Sequence, residues 1–257
     1  MKNEIKQFIG VAVCKFRKSV LQRLEEVRIK NLTINPYLPS VVCGSPKEAI
    51  KYSLNGCMGK SNQTKFGSLF EDISIKVCSL AYGENVKTGM SGIDLDLLKG
   101  KRRLLISIKS SDKWGNSQSI AKQGDQFKKA KKTINQNDTN HDLISVMGIC
   151  CGNSPTKDLQ YADVQISGQN FWCLITDGEE NFYQEILDVT SVGATEFEQI
   201  FNNEIELSCV RLLKEYEQVY GGDIFISTID AWKSIAKNSC GNKKDNDNWM
   251  KKIMDIK

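Results

Sequence analysis

The stretch SGIDLDLLKGKRRLLISIKSS, residues 91–111, has the pattern of a strand, a basic turn and a second strand. Side chains along a strand alternate between its two faces. Asp94 and Asp96 therefore share one face of the first arm, opposite Ile93, Leu95 and Leu97. In the second arm Leu105, Ser107 and Lys109 share a face, opposite Leu104, Ile106 and Ile108. One side of the hairpin can pack, while the other gathers two carboxylates, a hydroxyl and an ammonium. These groups fit two readings. They are the polar side of a half-exposed hairpin, or they converge on a metal ion and a scissile phosphate. The second arm is nearly all apolar apart from Ser107 and Lys109, which marks it as a central strand. A lysine at the end of such a strand needs a partner.

The elements that would position this hairpin follow from periodicity. Residues 2–31 carry Ile5, Phe8, Ile9, Val13, Phe16, Val20, Leu24 and Val27 at helical spacing. INPYLPS, residues 34–40, breaks that helix with Pro36 and Pro39. A second helix is expected over Pro46–Leu54, and GCMGKSNQTK after it reads as a polar loop. TKFGSLFEDISIKVCSLAYG predicts a third helix, with Phe66, Leu69, Phe70, Ile73 and Val77 as its buried stripe and Gly83 as its stop. After the hairpin come a lysine-rich helix near Gln118–Ile134, a buried strand at Leu143–Cys151 and another at Phe171–Thr176. Helical patterns return over Glu196–Tyr220 and near Thr228–Asn238, and GNKKDNDN close to the end reads as loop or loose tail. Helices, a hairpin, a helix, strands and more helices imply an α+β mixed sheet flanked by helices.

Composition narrows the function classes. With 257 residues, 40% apolar and 26% charged, the chain is ordinary globular material with room for a sizeable core. A net charge of +4 is mildly basic, so its distribution matters more than its sum. Nine cysteines are odd in number and contain no CxxC pair, which argues against a disulfide framework or a zinc site and for free, buried thiols in a reducing cytoplasm. The only histidine, His141, excludes a His-rich metal centre and disfavours a Ser-His-Asp hydrolase. The N-terminal apolar residues are interrupted by charge, unlike a signal peptide, and no stretch is long enough to span a membrane.

GIDLDLL followed by LLISIKSS resembles the core of the PD-(D/E)XK nuclease superfamily, with an acid opening one strand and a lysine closing the next, fifteen residues on. SSDKWGNSQSIAKQGDQFKKAKK, together with TINPY and KFGSLFED upstream, is similar to type II restriction endonucleases in particular. The likeness covers about Thr33–Lys132, and within the family it is closest to enzymes that cut interrupted GC-rich sites. The resemblance implies Mg²⁺-dependent hydrolysis of double-stranded DNA at a short palindromic sequence. It makes Asp94 the principal metal ligand, Lys109 the catalytic cation and the Ile108 carbonyl an extra ligand. The family's second acid belongs two residues before the lysine, where this chain has Ser107. Glu71 in the third helix, ranked first, or Asp96 would have to supply the missing charge.

Two basic runs flank the hairpin's second arm: KGKRR in the turn and KQGDQFKKAKK on the next helix. If Ile120, Phe127 and Ile134 are buried, Lys128, Lys129, Lys131 and Lys132 lie outside, either as a solvated face or as phosphate contacts. The loop offers Lys113, Asn116 and Gln118 for base edges and Trp114 for stacking or for core packing. The expectation is a single restriction-endonuclease-like domain with a catalytic core near residues 60–180. Helical additions at 1–59 and 181–257 would serve DNA binding or dimerisation. A homodimer suits a palindromic site, and a cognate DNA methyltransferase would protect the host. Two alternatives remain open: a repair or recombination nuclease of the same fold, and a DNA-binding module whose nuclease core is inactive.

Overall fold

A computed structural model describes residues 2–32, 37–83, 86–136, 140–220, 232–233 and 235–237. The chain divides into two compact units: residues 1–16 with 63–194, and residues 17–62 with 195–257. The expected element at Thr228–Asn238 lies largely outside the described residues. So do TINP of the TINPY motif and the GNKKDNDN tail.

The first unit is built on a four-stranded sheet in the order β1 (Leu95–Lys99), β2 (Arg102–Ser111), β3 (Asp142–Cys151), β4 (Val164–Ser167). β1 pairs antiparallel with β2, and β2–β3 and β3–β4 are parallel, so the sheet is mixed. The two-residue turn at Gly100 and Lys101 closes the hairpin, with Gly100 at φ +62° where an L side chain would be strained. β2 is central, and five consecutive residues from Leu104 to Ile108 are buried because both of its faces are covered.

Alternation sends Leu95, Leu97, Leu104, Ile106, Ile108, Val146 and Cys150 to one face. There they pack against α1 (Lys2–Glu26) through Ile5, Ile9 and Val13, and against α3 (Pro46–Tyr82) through Leu69, Ile73 and Val77. The helices α5 (Gln169–Ile175) and α6 (Phe182–Thr190) complete this layer. The opposite face carries Leu105, Met147 and Ile149 against Phe127, Ala130 and Ile134 of α4 (Ser117–Asn135), the crossover between β2 and β3. Ile93 joins this second cluster and not that of Leu95. β1 begins only at Leu95, so strict alternation does not reach back to Ile93.

The second unit also holds the short helix α2 (Tyr37–Val42), and in it α7 (Ala194–Tyr220) buries Ile205, Cys209, Leu212, Leu213 and Tyr216. Arg211 ties α7 to the end of α1, donating to the carbonyls of Leu24 and Val27 at 3.0 and 2.7 Å. Glu215 accepts from the Ile29 amide at 2.9 Å, and Lys51 of α3 is paired with Glu206.

Three sequence expectations give way here. GCMGKSNQTK is not a loop: α3 runs unbroken through it for 37 residues. A glycine costs a helix only about 1 kcal/mol, which the packing of this helix outweighs. Phe171–Thr176 is not a strand but α5. Phe171, Trp172 and Ile175 are buried at helical spacing, and a short, wholly apolar run does not distinguish the two forms. The strand lies just before it, at β4. Phe66, assigned to a buried stripe, is 41% exposed and lies against Phe70 at 4.5 Å. The eight described cysteines are free; Cys78, Cys150 and Cys209 are buried, whereas Cys14 and Cys151 are exposed. Among the described residues no helix is long and apolar enough to cross a membrane.

Candidate active site

Asp94 stands immediately before the Leu95–Ile106 pair that opens the antiparallel ladder, with its carboxylate beside Ser107. The Asp94 amide donates to the Ile106 carbonyl at 2.8 Å, which fixes the backbone at the mouth of the strand. Its carboxylate turns back onto β2. Oδ2 accepts the Ile108 amide at 2.6 Å and lies 3.4 Å from Ser107 Oγ. A backbone N–H held by a carboxylate is among the stronger hydrogen bonds a protein makes. No hydrogen bond to Oδ1 is found among the described residues, so one oxygen of Asp94 is anchored and the other is open.

Glu71 approaches from α3, half-buried. Burial raises its carboxyl above the usual range, and the charges of Asp94 and Asp72 raise it further, against the opposing pull of Lys87 and Lys109. Glu71, Asp94 and Lys109 therefore lie within one electrostatic neighbourhood although they come from α3, the residue before β1, and β2. Cys150 of β3 borders it. Burial pushes its thiol up to about 12, with Asp94 adding to the effect, so it remains a neutral, inert neighbour.

Lys109 follows on the same face of β2 as Ser107. Its ammonium lies over the ring of Trp114, 5.1 Å from the centroid, and that ring meets Tyr161 edge-on at 6.4 Å. Such a cation–π contact is worth roughly 0.5–2 kcal/mol depending on exposure. Trp114 is half-buried and packs on the α4-side cluster.

Asp96 is differently placed. Both of its oxygens are taken by Arg103, from Nε at 2.8 Å and from Nη2 at 2.7 Å, and the two side chains are only 12% and 24% exposed. Ser107 is fully buried, and its hydroxyl donates to Gln123 Oε1 of α4 at 3.1 Å.

Of the residues considered for DNA, Lys113, Asn116, Gln118, Lys128 and Lys132 are exposed. Asn116 has a structural task as well. Its Oδ1 accepts from the Ser119 amide at 3.0 Å and from the Ser119 hydroxyl at 3.1 Å, capping α4. Lys131 is paired with Asp163 and so differs from its neighbours on the same helix.

Two residues of this neighbourhood escaped the sequence reading. Lys87 stands before the hairpin and is joined to it by a bridge to Leu95, in a segment with no periodic signal. Gln123 looked like one polar residue among many on a basic helix. Only its register could have singled it out, since it lies four residues before Phe127 and faces the sheet with it.

Among the described residues no three His, Cys, Asp or Glu side chains form a ready-made metal cage. The arrangement is instead an anchored aspartate whose Oδ1 accepts no hydrogen bond among the described residues, a half-buried glutamate that feels its charge, and an ammonium at the end of a central strand. No curated protein matches the chain. A model of the family described as type II restriction endonuclease EcoO109I matches residues 3–198, about three quarters of the chain and the whole of the neighbourhood just described. The chain belongs to the EcoO109I family of type II restriction endonucleases, whose substrate is DNA.

Proposed function

We propose that this restriction endonuclease hydrolyses double-stranded DNA at a short palindromic site with Mg²⁺, through a PD-(D/E)XK-type centre made of Asp94, Glu71 and Lys109. The observation that carries this is the Asp94 carboxylate. One oxygen is fixed by the Ile108 amide, the other is open, and Glu71 and Lys109 share its electrostatic field. The donor set fits the ion. Mg²⁺ prefers hard oxygen ligands, takes only one or two carboxylates from the protein and keeps several waters. Burial and the charges of Asp94 and Asp72 disfavour the ionised form of Glu71 against the pull of Lys87 and Lys109, and a bound divalent cation would relieve that.

Bound there, Mg²⁺ would supply a low-pKa water and neutralise charge on the phosphate. The chain's own residues do the rest. Asp94 offers Oδ1, and the Ile108 carbonyl is an additional oxygen ligand. Glu71 is favoured over Asp96 as the second acid, because Arg103 already occupies both Asp96 oxygens. Lys109, steadied over Trp114, directs its ammonium at the attacking water and at charge growing on the phosphorane. Lys128 and Lys132 of α4, with Lys113 and Gln118 in the preceding loop, serve phosphate and base contacts. A homodimer would match a two-fold site. Exposed Ile200 and Leu207, seven residues apart on one face of α7, give the second unit an apolar stripe suited to it. A cognate methyltransferase would act on the same sequence.

The test is digestion of plasmid and phage DNA by the wild type, Asp94→Ala and Lys109→Ala, with and without Mg²⁺. Discrete bands are expected for the wild type with Mg²⁺ alone. Full activity in either variant removes the proposed centre. Non-specific nicking would point to a repair nuclease, and DNA binding without cleavage would point to an inactive module.

A further inference from the structure

Where the family pattern has an acid, this chain has Ser107, and the structure shows what that hydroxyl does. Ser107 is fully buried and has one proton to give. That proton is within hydrogen-bond reach of two acceptors, Gln123 Oε1 at 3.1 Å and Asp94 Oδ2 at 3.4 Å, and ties them together. Gln123 is itself only 4% exposed, and its other end is used too: Nε2 donates to the Gly92 carbonyl at 2.8 Å. Gly92 stands two residues before Asp94 at φ +77°, in the bend that delivers Asp94 to the strand. One buried amide from α4 therefore grips the backbone ahead of Asp94 and the hydroxyl beside its carboxylate.

A buried amide is costly unless both ends are bonded. Gln123 meets that condition only while the Gly92 bend and Ser107 keep their places. The linkage thus restricts Asp94 to the orientation in which Oδ2 is anchored on Ile108 and Oδ1 is open. We infer that Gln123 is a positioning residue for Asp94, acting through Ser107 and Gly92. In this chain the position of the family's second acid serves to orient the first one. The inference rests on the proposed reading of Asp94 as a metal ligand. Partners that orient a metal ligand from behind typically contribute about 10–100-fold to metal affinity.

The experiment measures Mn²⁺ binding to the full chain without DNA, by electron paramagnetic resonance, alongside single-turnover cleavage. Gln123→Met keeps the length of the side chain and removes both polar ends. It is expected to weaken Mn²⁺ binding about 10-fold or more, and to raise the metal concentration needed for half-maximal cleavage by the same factor. The KM for DNA should stay within about twofold, since Gln123 is only 4% exposed and its polar ends are used inside the protein. Ser107→Ala removes one hydroxyl from a buried site, and it keeps the test decisive if Gln123→Met fails to fold. It should shift Mn²⁺ affinity in the same direction, and the double variant should be no worse than the more affected single one. Wild-type affinity in Gln123→Met, or in Ser107→Ala where that is the variant that folds, overturns the inference. So do fully additive losses in the double variant, which would mean the hydroxyl is not the link. Mn²⁺ binding lost in Asp94→Ala but kept in Gln123→Met removes only the inference. A wild type that binds no Mn²⁺, or binds it as tightly as Asp94→Ala does, removes the metal reading of Asp94 and the inference with it.

Discussion

Asp96 and Glu71 can be separated by a crossed pair of substitutions, because the structure gives their charges opposite energetic signs. Asp96 receives two hydrogen bonds from Arg103, at 2.8 and 2.7 Å, in a pair whose side chains are 12% and 24% exposed. Breaking a fully buried pair costs about 3–5 kcal/mol and an exposed one under about 1 kcal/mol. This pair lies between those limits, so Asp96→Asn should cost about 1–3 kcal/mol of stability. For a chain of this size that is a fall in Tm of roughly 2–12 °C. Glu71 is the reverse case. Burial and the charges of Asp94 and Asp72 already disfavour its ionised form, so Glu71→Gln should leave the metal-free protein at least as stable as the wild type. The functional effects should cross the other way. Single-turnover cleavage at 25 °C, where both variants are folded, should stay within about threefold of wild type for Asp96→Asn. It should fall more than about 100-fold for Glu71→Gln, since outer-shell losses alone can reach that size. Urea titration gives the stabilities and plasmid linearisation the rates. An Asp96→Asn protein of wild-type stability that no longer cuts, or a Glu71→Gln protein that cuts at full rate, would refute the assignment.

Two further outcomes follow from packing and protonation. Gly148→Ala would place a methyl 2.4 Å from Phe171 Cε2 and 3.2 Å from Ile106 Cγ2, so it should cost about 1–3 kcal/mol or more in thermal denaturation, and Phe171→Leu should recover part of that loss. Burial pushes the Asp163 carboxyl up, but Lys131 and the Ser145 hydroxyl and amide outweigh that effect and hold it below its ordinary 3.8. The stability it contributes is therefore complete above about pH 4 and is lost as pH falls through its lower, folded value. Asp163→Asn should flatten that acid limb in a pH series of urea melts, and an unchanged limb would exclude this residue as its source.

The parts of this protein legible in the sequence are those where one physical signal dominates. The Asp94–Lys109 hairpin could be read because alternation separates the apolar residues of β1 and β2 from the polar ones, although it fails at Ile93, ahead of the first strand. α4 could be read because Phe127 and Ile134 are buried at helical spacing. α5 could not, since FWCLI is apolar throughout and short enough for either form. Nor could the continuity of α3, whose glycines and polar residues signal a loop until packing is taken into account. Within the candidate site, sequence brought forward the groups that carry charge. It had no means of seeing that Arg103 takes both oxygens of Asp96, or that Gln123 reaches Ser107 across 16 residues. Those facts depend on which side chains the fold turns toward each other.

The parallel pairing of β2 with β3 also bears on how the protein comes into being. Asp94 and Lys109 belong to a local hairpin, which can form within microseconds. The pairing that encloses β2 joins Arg102 to Asp142 and Ser111 to Cys151, some forty residues apart, and must wait for the chain of α4 to close the loop. Until then Ser107 has no Gln123 beside it, because that residue is part of the same crossover. The hairpin can therefore exist before the proposed centre does. Catalytic competence should appear only in the late, cooperative step of folding, so a partly folded or nascent chain would carry the charged residues of a nuclease without its ability to cut.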